Sequence, residues 1–249
     1  MHQMLKQIRL KKENIPSKSG YPFTIPAISH FSSLDFQNKV TFFVGENGSG
    51  KSTLLEAIAY QCQFNTAGGG RNNSYDIHAS QSDLGEYLQL SWSPTKLTNG
   101  FFLRAESFYQ FATHIDQLDE FDSNKKFASY GGKSLLQQSH GESFLSLFLH
   151  RFRGEAIYLL DEPEAALSPQ RQLSFLRILH DLAETEECQF IIATHSPILL
   201  GYPSATILSF DGDQIEEIAY EDTEHYQITK YFLQYREKML KDIFTEEEM

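Results

Sequence analysis

Gly45-Glu46-Asn47-Gly48-Ser49-Gly50-Lys51-Ser52-Thr53 is the stretch around which the remaining sequence falls into place. It fits G-x-x-x-x-G-K-[ST], the phosphate-binding P-loop. Before it stands an apolar, β-branched run, Val40-Thr41-Phe42-Phe43-Val44, which predicts a buried strand. After it Leu54, Leu55, Ile58, Ala59 and Cys62 recur at helical spacing, so the loop joins a strand to a helix. Glycines at 45, 48 and 50 let backbone N–H groups turn inward around an anion. The helix N-terminus beyond them adds unpaired donors and partial positive charge. Lys51 is expected to reach the β- and γ-phosphates of a nucleoside triphosphate, and Ser52 to ligate Mg²⁺.

The chain has 249 residues, which suits a single α/β domain with a core large enough to carry an insert. A net charge of −12 works against general attraction to nucleic acid, although Lys6, Arg9, Lys11, Lys12 and Lys18 cluster near the N-terminus. A solvated strand edge is the simpler reading of that cluster. The two cysteines, Cys62 and Cys188, lack metal spacing and are expected to be reduced core residues of a cytoplasmic protein. No signal peptide opens the sequence and no apolar run approaches membrane length, so direct membrane insertion is not expected.

Residues 1–44 read as β-rich, with a short alternating strand from Gln7 to Lys11. Tyr21, Phe23, Phe31 and Phe36 precede the P-loop, each a candidate either for stacking on a base or for core packing. Residues 65–75 form a Gly/Asn-rich loop carrying Arg71. Glu86–Ser93 and Phe101–Ala105 read as strands, and the turn residues Pro94–Gly100 suggest a hairpin. From 106 to 138 apolar residues are sparse, which predicts a partly helical insert on the rim of the core. Ala156–Leu160 and Phe190–Thr194 are continuous apolar runs, as in strands buried on both faces of a parallel sheet. Between them Ser168 and Pro169 open a helix along which Leu173, Leu176, Leu179 and Leu182 keep helical step. Thr206–Phe210 and Gln214–Ala219 read as closing strands, and the tail from Tyr226 as a helix.

Hydrolysis needs a metal-holding acid and a means of activating water. Ala156-Ile-Tyr-Leu-Leu-Asp-Glu162 supplies both at a strand end: Asp161 for Mg²⁺ and Glu162 as general base. Ser139-His140-Gly141-Glu142 fits an S-x-x-E capping box opening the helix that carries Phe144, Leu145, Phe148 and Phe152. A capped helix start beside a glycine is also an anion site. His195 follows a buried strand, so it either faces a ligand or is a core histidine at a strand end.

Taken together, Gly45–Thr53, Gln138-Ser-His-Gly-Glu142, Leu159-Leu-Asp-Glu-Pro-Glu164, Ala166-Leu-Ser-Pro169 and Ala193-Thr-His-Ser-Pro197 resemble the ABC ATPase superfamily. The order of the motifs, spread over residues 40 to 200, looks closest to the soluble SMC- and RecF-like ATPases often labelled predicted AAA-type ATPases. The resemblance implies a P-loop core of mostly parallel sheet flanked by helices, with an N-terminal antiparallel β region. It also implies an ATP-dependent head-to-tail homodimer with ATP and Mg²⁺ held between the subunits. Ser139, His140, Gly141 and Glu142 would form the signature that faces the other subunit's nucleotide. Ala165–Ser168 would match the D-loop, and His195 the switch histidine at the γ-phosphate.

The pattern also departs from the transporter type. Gln138 and His140 stand where transporter signatures usually carry leucine and the first of two glycines, and Glu142 is more SMC-like. The Q-loop position falls on Glu106, with Gln110 as the alternative. The P-loop and signature are too close in sequence for long coiled-coil arms. The expected function is therefore an ATPase serving DNA repair, defence or maintenance. The alternative is the ATP-binding subunit of a transporter with a separate permease. The absence of an N/T-K-x-D guanine-reading motif argues against a GTPase.

Overall fold

The computed structural model describes residues 4–17, 19–65, 83–94, 99–105, 108, 112, 113, 134, 137–151 and 154–245. Arg71, Glu106, Gln110, Lys18, Phe152 and nearly all of the 106–138 insert lie outside these residues.

Among the described residues there are two sheets. The smaller is antiparallel, built from β1 (Leu5–Leu10), β2 (Ser33–Asp35) and β4 (Leu88–Trp92) in the order β2-β1-β4. The larger has six strands: β3 (Val40–Val44), β5 (Gly100–Arg104), β6 (Ile157–Asp161), β7 (Gln189–Ala193), β8 (Thr206–Ser209) and β9 (Glu216–Glu217). Their order is β5-β6-β7-β3-β8-β9, parallel throughout except for the final antiparallel β8–β9 pair. The mostly parallel α/β core and the antiparallel N-terminal region are as expected. The hairpin is not: β4 pairs with β1 in the small sheet, whereas β5 pairs with β6 in the large one. The turn residues between them mark a change of sheet, because β5 is an apolar strand that gains burial on both faces only inside the parallel sheet.

The central strands β3, β6 and β7 are buried at every position. Alternate side chains serve two separate cores, as the two-residue period of a strand requires. Phe43, Leu159 and Ile191 point to one core, shared with helix α2 (Lys51–Gln61) and the small sheet. Phe42, Leu160 and Ile192 point to the other, shared with α3 (His140–Arg151), α4 (Pro169–Thr185) and α5 (Pro197–Leu200). Two further helices are a short α1 (Pro26–His30) and the long α6 (Glu224–Phe244).

Helix α2 lies between the sheets, touching β4 on one side and β5, β6 and β7 on the other. That explains why Leu54, Leu55, Ile58 and Ala59 are all fully buried rather than forming a single stripe. The amide of Gln189, 1% exposed, ties the sheets directly: its oxygen accepts from the Met4 and Leu5 N–H groups and its nitrogen donates to the Leu5 carbonyl. Along α4 the buried face is Gln172, Phe175, Leu179, Leu182 and Ala183. Leu173, expected inside, is exposed, because the core-facing stripe runs through Phe175 one position out of step with it. Phe175 stacks edge-on against Phe144 and Phe148 of α3, at 6.3 and 4.8 Å between centroids. Cys62 and Cys188 are buried and not disulfide-bonded, and burial pushes the Cys188 thiol up to about 12, which leaves it a protonated packing group.

Candidate active site

The C-terminal ends of β3, β6 and β7 converge where a parallel sheet commonly receives its ligand. The loop after β3 is Gly45–Gly50. Gly45 has φ +143°, and a Cβ there would lie 2.8 Å from an Asp211 carboxylate oxygen. That oxygen accepts the Glu46 N–H at 2.6 Å, so the loop is pinned from the β8 side by a residue that sequence reasoning passed over as part of a turn. Lys51, 4% exposed, donates to the carbonyls of Gly45 (2.6 Å) and Glu46 (2.8 Å). Burial lowers its pKa, opposed by the surrounding carboxylates Glu162, Asp211, Asp161 and Glu164.

Ser52 and Asp161 meet as the sequence predicts: the Ser52 hydroxyl donates to Asp161 at 2.8 Å. The other oxygen of Asp161 accepts from Arg104 Nε at 3.0 Å, and Arg104 Nη2 reaches Glu56 of α2 at 3.4 Å. Arg104 was not singled out in the sequence. Its signal is the β5–β6 register, which sets Arg104 directly opposite Asp161, and register is not visible in one strand alone.

Glu162 adopts a left-handed conformation, φ 51° and ψ 51°, uncommon for a residue with a Cβ. Its N–H stays tied to the Ala193 carbonyl at 2.9 Å, while the turn before Pro163 swings its carboxylate toward His195. The Glu162 Oε1–His195 Nε2 separation is 3.6 Å, too long for a hydrogen bond. His195 Nε2 is buried and has no hydrogen-bond partner among the described residues. The other ring nitrogen, Nδ1, is 2.8 Å from His225 Nε2. Glu164, whose carboxyl is raised by burial, accepts the His195 backbone N–H at 2.6 Å. Glu46, Asn47, Glu162 and His195 line a cleft of about 550 Å³.

Burial, then the nearby Lys51 and His225, push the His195 imidazole down to about 4, so it is neutral near pH 7 and its contact with Glu162 is not an ion pair. The unfolded imidazole takes its proton near pH 6.5. Between those values the unfolded state binds more protons, so this group's contribution to stability is lost as pH falls from about 6.5 toward 4. The melting-temperature advantage of the wild type over His195→Asn should shrink across that window. An advantage independent of pH would refute a depressed imidazole.

Ser139 sits elsewhere. It stands just before α3, its carbonyl accepting the Glu142 and Ser143 N–H groups, and is exposed. Half of the capping box forms: Glu142 reaches back to the Ser139 N–H at 3.0 Å. The hydroxyl, instead of capping, donates to the same Glu142 carboxylate at 2.6 Å. Arg171 of α4 explains this, since it contacts both the Ser139 hydroxyl (3.1 Å) and Glu142 (3.4 Å) and draws them together. Gly141 leaves room for Arg171, which a Cβ would strike. Among the described residues Ser139 hydrogen-bonds within its own turn and to Arg171, and to none of the P-loop residues. Sequence reasoning missed Arg171, which stands two residues after the helix start at Pro169.

The donor set fits a Mg²⁺–triphosphate: a buried ammonium and a hydroxyl–carboxylate pair at the P-loop, and an orphaned imidazole nitrogen on a residue lining the cleft beside it. No group of three His, Cys, Asp or Glu side chains suited to a metal occurs among the described residues. Mg²⁺ in such sites takes one or two protein ligands and completes its shell with phosphate and water.

Residues 24–242 match the family described as "AAA domain". The chain belongs to that family. Among curated relatives of this AAA domain, the hemin import ATP-binding protein HmuV of Vibrio anguillarum is 27% identical over 179 residues, 64% of this chain and 66% of that protein. Protein ea59 of Escherichia phage lambda is 38% identical over 88 residues, 34% of this chain and 17% of its own length. The OLD nuclease of Thermus scotoductus is 48% identical over 40 residues, 16% of this chain and 8% of the nuclease. The chain thus spans less than two thirds of each of these relatives. Among solved structures, cbiO1 from Clostridium perfringens, part of the ABC transporter complex cbiONQ, is similar in fold with TM-score 0.51 and 14% identity, covering 96% of this chain and 100% of that one. The AAA domain therefore carries its P-loop on an ABC-type fold. Its relatives include import ATP-binding proteins as well as a phage protein and a nuclease, so they do not favour the SMC-like side over the transporter side. Among the described residues no helix is long and apolar enough to cross a membrane.

Proposed function

We propose that this chain is a Mg²⁺-dependent ATP hydrolase whose site is completed by a second copy of itself, bound head to tail. The observation that carries this is the division of the site residues. Lys51 and the Ser52–Asp161 pair stand at the P-loop, and Glu162 and His195 line the cleft beside it with Glu46 and Asn47, while Ser139 is exposed just before α3 and, among the described residues, bonded to none of the P-loop.

In this reading the backbone of Gly45–Thr53 and the Lys51 ammonium bind the phosphates, with Lys51 exchanging its two carbonyl acceptors for phosphate oxygens. Ser52 and Asp161 would hold Mg²⁺, which supplies charge neutralisation of the phosphate oxygens. Glu162 accepts the proton of the attacking water, and His195 Nε2 bonds to the γ-phosphate. Ser139, Gly141 and the start of α3 bring donors to that phosphate from the other copy, with His140 and Glu142 shaping the turn. The Glu142 ending and the Thr194-His195-Ser196-Pro197 segment favour an ATPase acting in DNA repair, defence or maintenance, in the cytoplasm. A second reading, an ATP-binding subunit serving a separate permease, draws on the HmuV alignment. Stimulation of hydrolysis by DNA supports the first, and co-purification with a membrane permease the second.

Complementation tests the composite site. Ser139→Arg and Lys51→Ala should each be inactive alone. Mixed in equal amounts they should recover roughly a quarter of the wild-type rate, since about half the dimers are then mixed and each holds one intact site of two. No recovery, or full activity of Ser139→Arg alone, would rule out sharing between copies.

A further inference from the structure

His195 has one nitrogen turned to the cleft and the other engaged. Nε2 is buried, without a hydrogen-bond partner among the described residues, and 3.6 Å from Glu162. Nδ1 is 2.8 Å from Nε2 of His225, the second residue of α6. A neutral imidazole carries one donor and one acceptor, and the partner of one nitrogen decides what the other presents. A phosphate oxygen accepts hydrogen bonds, so a productive His195 must carry its proton on Nε2. Nδ1 must then accept, and His225 must donate through its own Nε2–H.

The first turn of α6 is fastened to the segment carrying His195, which keeps this contact in place. Thr223, the helix cap, is 1% exposed; its hydroxyl donates to the Tyr220 carbonyl at 2.8 Å and accepts the Tyr226 N–H at 3.4 Å. Tyr220 in turn donates to the Pro197 carbonyl at 2.9 Å, two residues beyond His195, and its ring packs on Tyr226 at 4.6 Å. The rings of His195 and His225 are 4.9 Å apart and tilted by 57°, so the contact is an in-line hydrogen bond and not a stack. Past this turn α6 has no buried residue, although it runs for 21 residues. Its fixed end is the one that touches the site.

We propose that His225 is a positioning residue for hydrolysis: it donates to His195 Nδ1, holds His195 in the tautomer that donates from Nε2, and thereby makes the start of α6 part of the catalytic apparatus. This rests on His195 contacting the γ-phosphate. His225 itself touches neither phosphate nor water.

The test has four arms on the full chain. His225→Ala should lower kcat at least about tenfold while KM and the affinity for ATP stay near wild type, because an imidazole in the wrong tautomer presents an acceptor where a donor is needed. His225→Gln, whose amide can donate, should restore most of the rate. In ¹⁵N spectra of histidine-labelled protein, the His195 signals, assigned by their loss in His195→Gln, should show a protonated Nε2, and His225→Ala should turn them into a tautomer mixture. The double variant His195→Ala/His225→Ala should be no slower than His195→Ala alone. If His195→Ala slows hydrolysis and His225→Ala changes neither kcat nor the tautomer, the proposal is wrong while the role of His195 stands. Should His195→Ala hydrolyse at the wild-type rate, the role of His195 itself is lost. Lower melting temperature in His225→Ala with unchanged kcat would mark a purely structural pair and would also overturn the proposal.

Discussion

Glu162→Gln should stop ATP turnover, by a factor of roughly 10² to 10⁴, while ATP remains bound. The two side chains have the same shape and the left-handed backbone at this position burdens both equally, so the fold is preserved. What changes is basicity: the carboxylate accepts a water proton and the amide does not. Binding depends on other groups, Lys51 with its loop carbonyl partners and the Ser52–Asp161 pair. Loss of turnover without loss of nucleotide should therefore accumulate the ATP-bound dimer. Phosphate release measures the first effect, and light scattering with saturating ATP the second. Turnover within tenfold of wild type would remove Glu162 as the base. A variant that stays monomeric with ATP bound would instead count against the composite site.

Lys51→Ala should lower the affinity for ATP by about 100-fold or more. Hydrogen bonds to a charged group contribute on the order of 1.5–3 kcal/mol each, and a triphosphate can take at least two from one ammonium. Lys51 already makes two such bonds to carbonyl oxygens and is nearly buried, so no water replaces it at the phosphates. Lys51→Arg should not restore binding, since a planar fork does not fit where a compact ammonium donates to two carbonyls of one tight loop. Titration with a fluorescent ATP analogue measures the loss, and an unchanged affinity would overturn the P-loop assignment.

Much of this was legible in the sequence because it is local. The apolar runs at 40–44, 156–160 and 190–194 each became a strand within a residue or two, and Ser52 and Asp161 lie within hydrogen-bond distance. What escaped depends on pairing across the chain. Arg104 reaches Asp161 through strand register, Asp211 reaches Glu46 from the turn after β8, and Arg171 draws in the Ser139 hydroxyl from a different helix. His225 lay just ahead of the residue at which the tail was expected to turn helical, and nothing local tied it to His195. The failed hairpin has the same origin: turn residues tell where a chain reverses or jumps, not which sheet it joins next.

The strand order also sets a timetable for the nascent chain. β3, which carries the P-loop, has β7 and β8 as its only sheet neighbours, and both are made long after it. β1 likewise waits for Gln189, 184 residues beyond Leu5, before its N–H groups meet the amide that joins the two sheets. At 5–20 residues per second of synthesis, that delay is roughly 10–40 s. Through this interval the phosphate loop has no sheet framework to hold its shape, and both edges of β3 stay unpaired. The phosphate loop is thus made well before the strands that give it its shape.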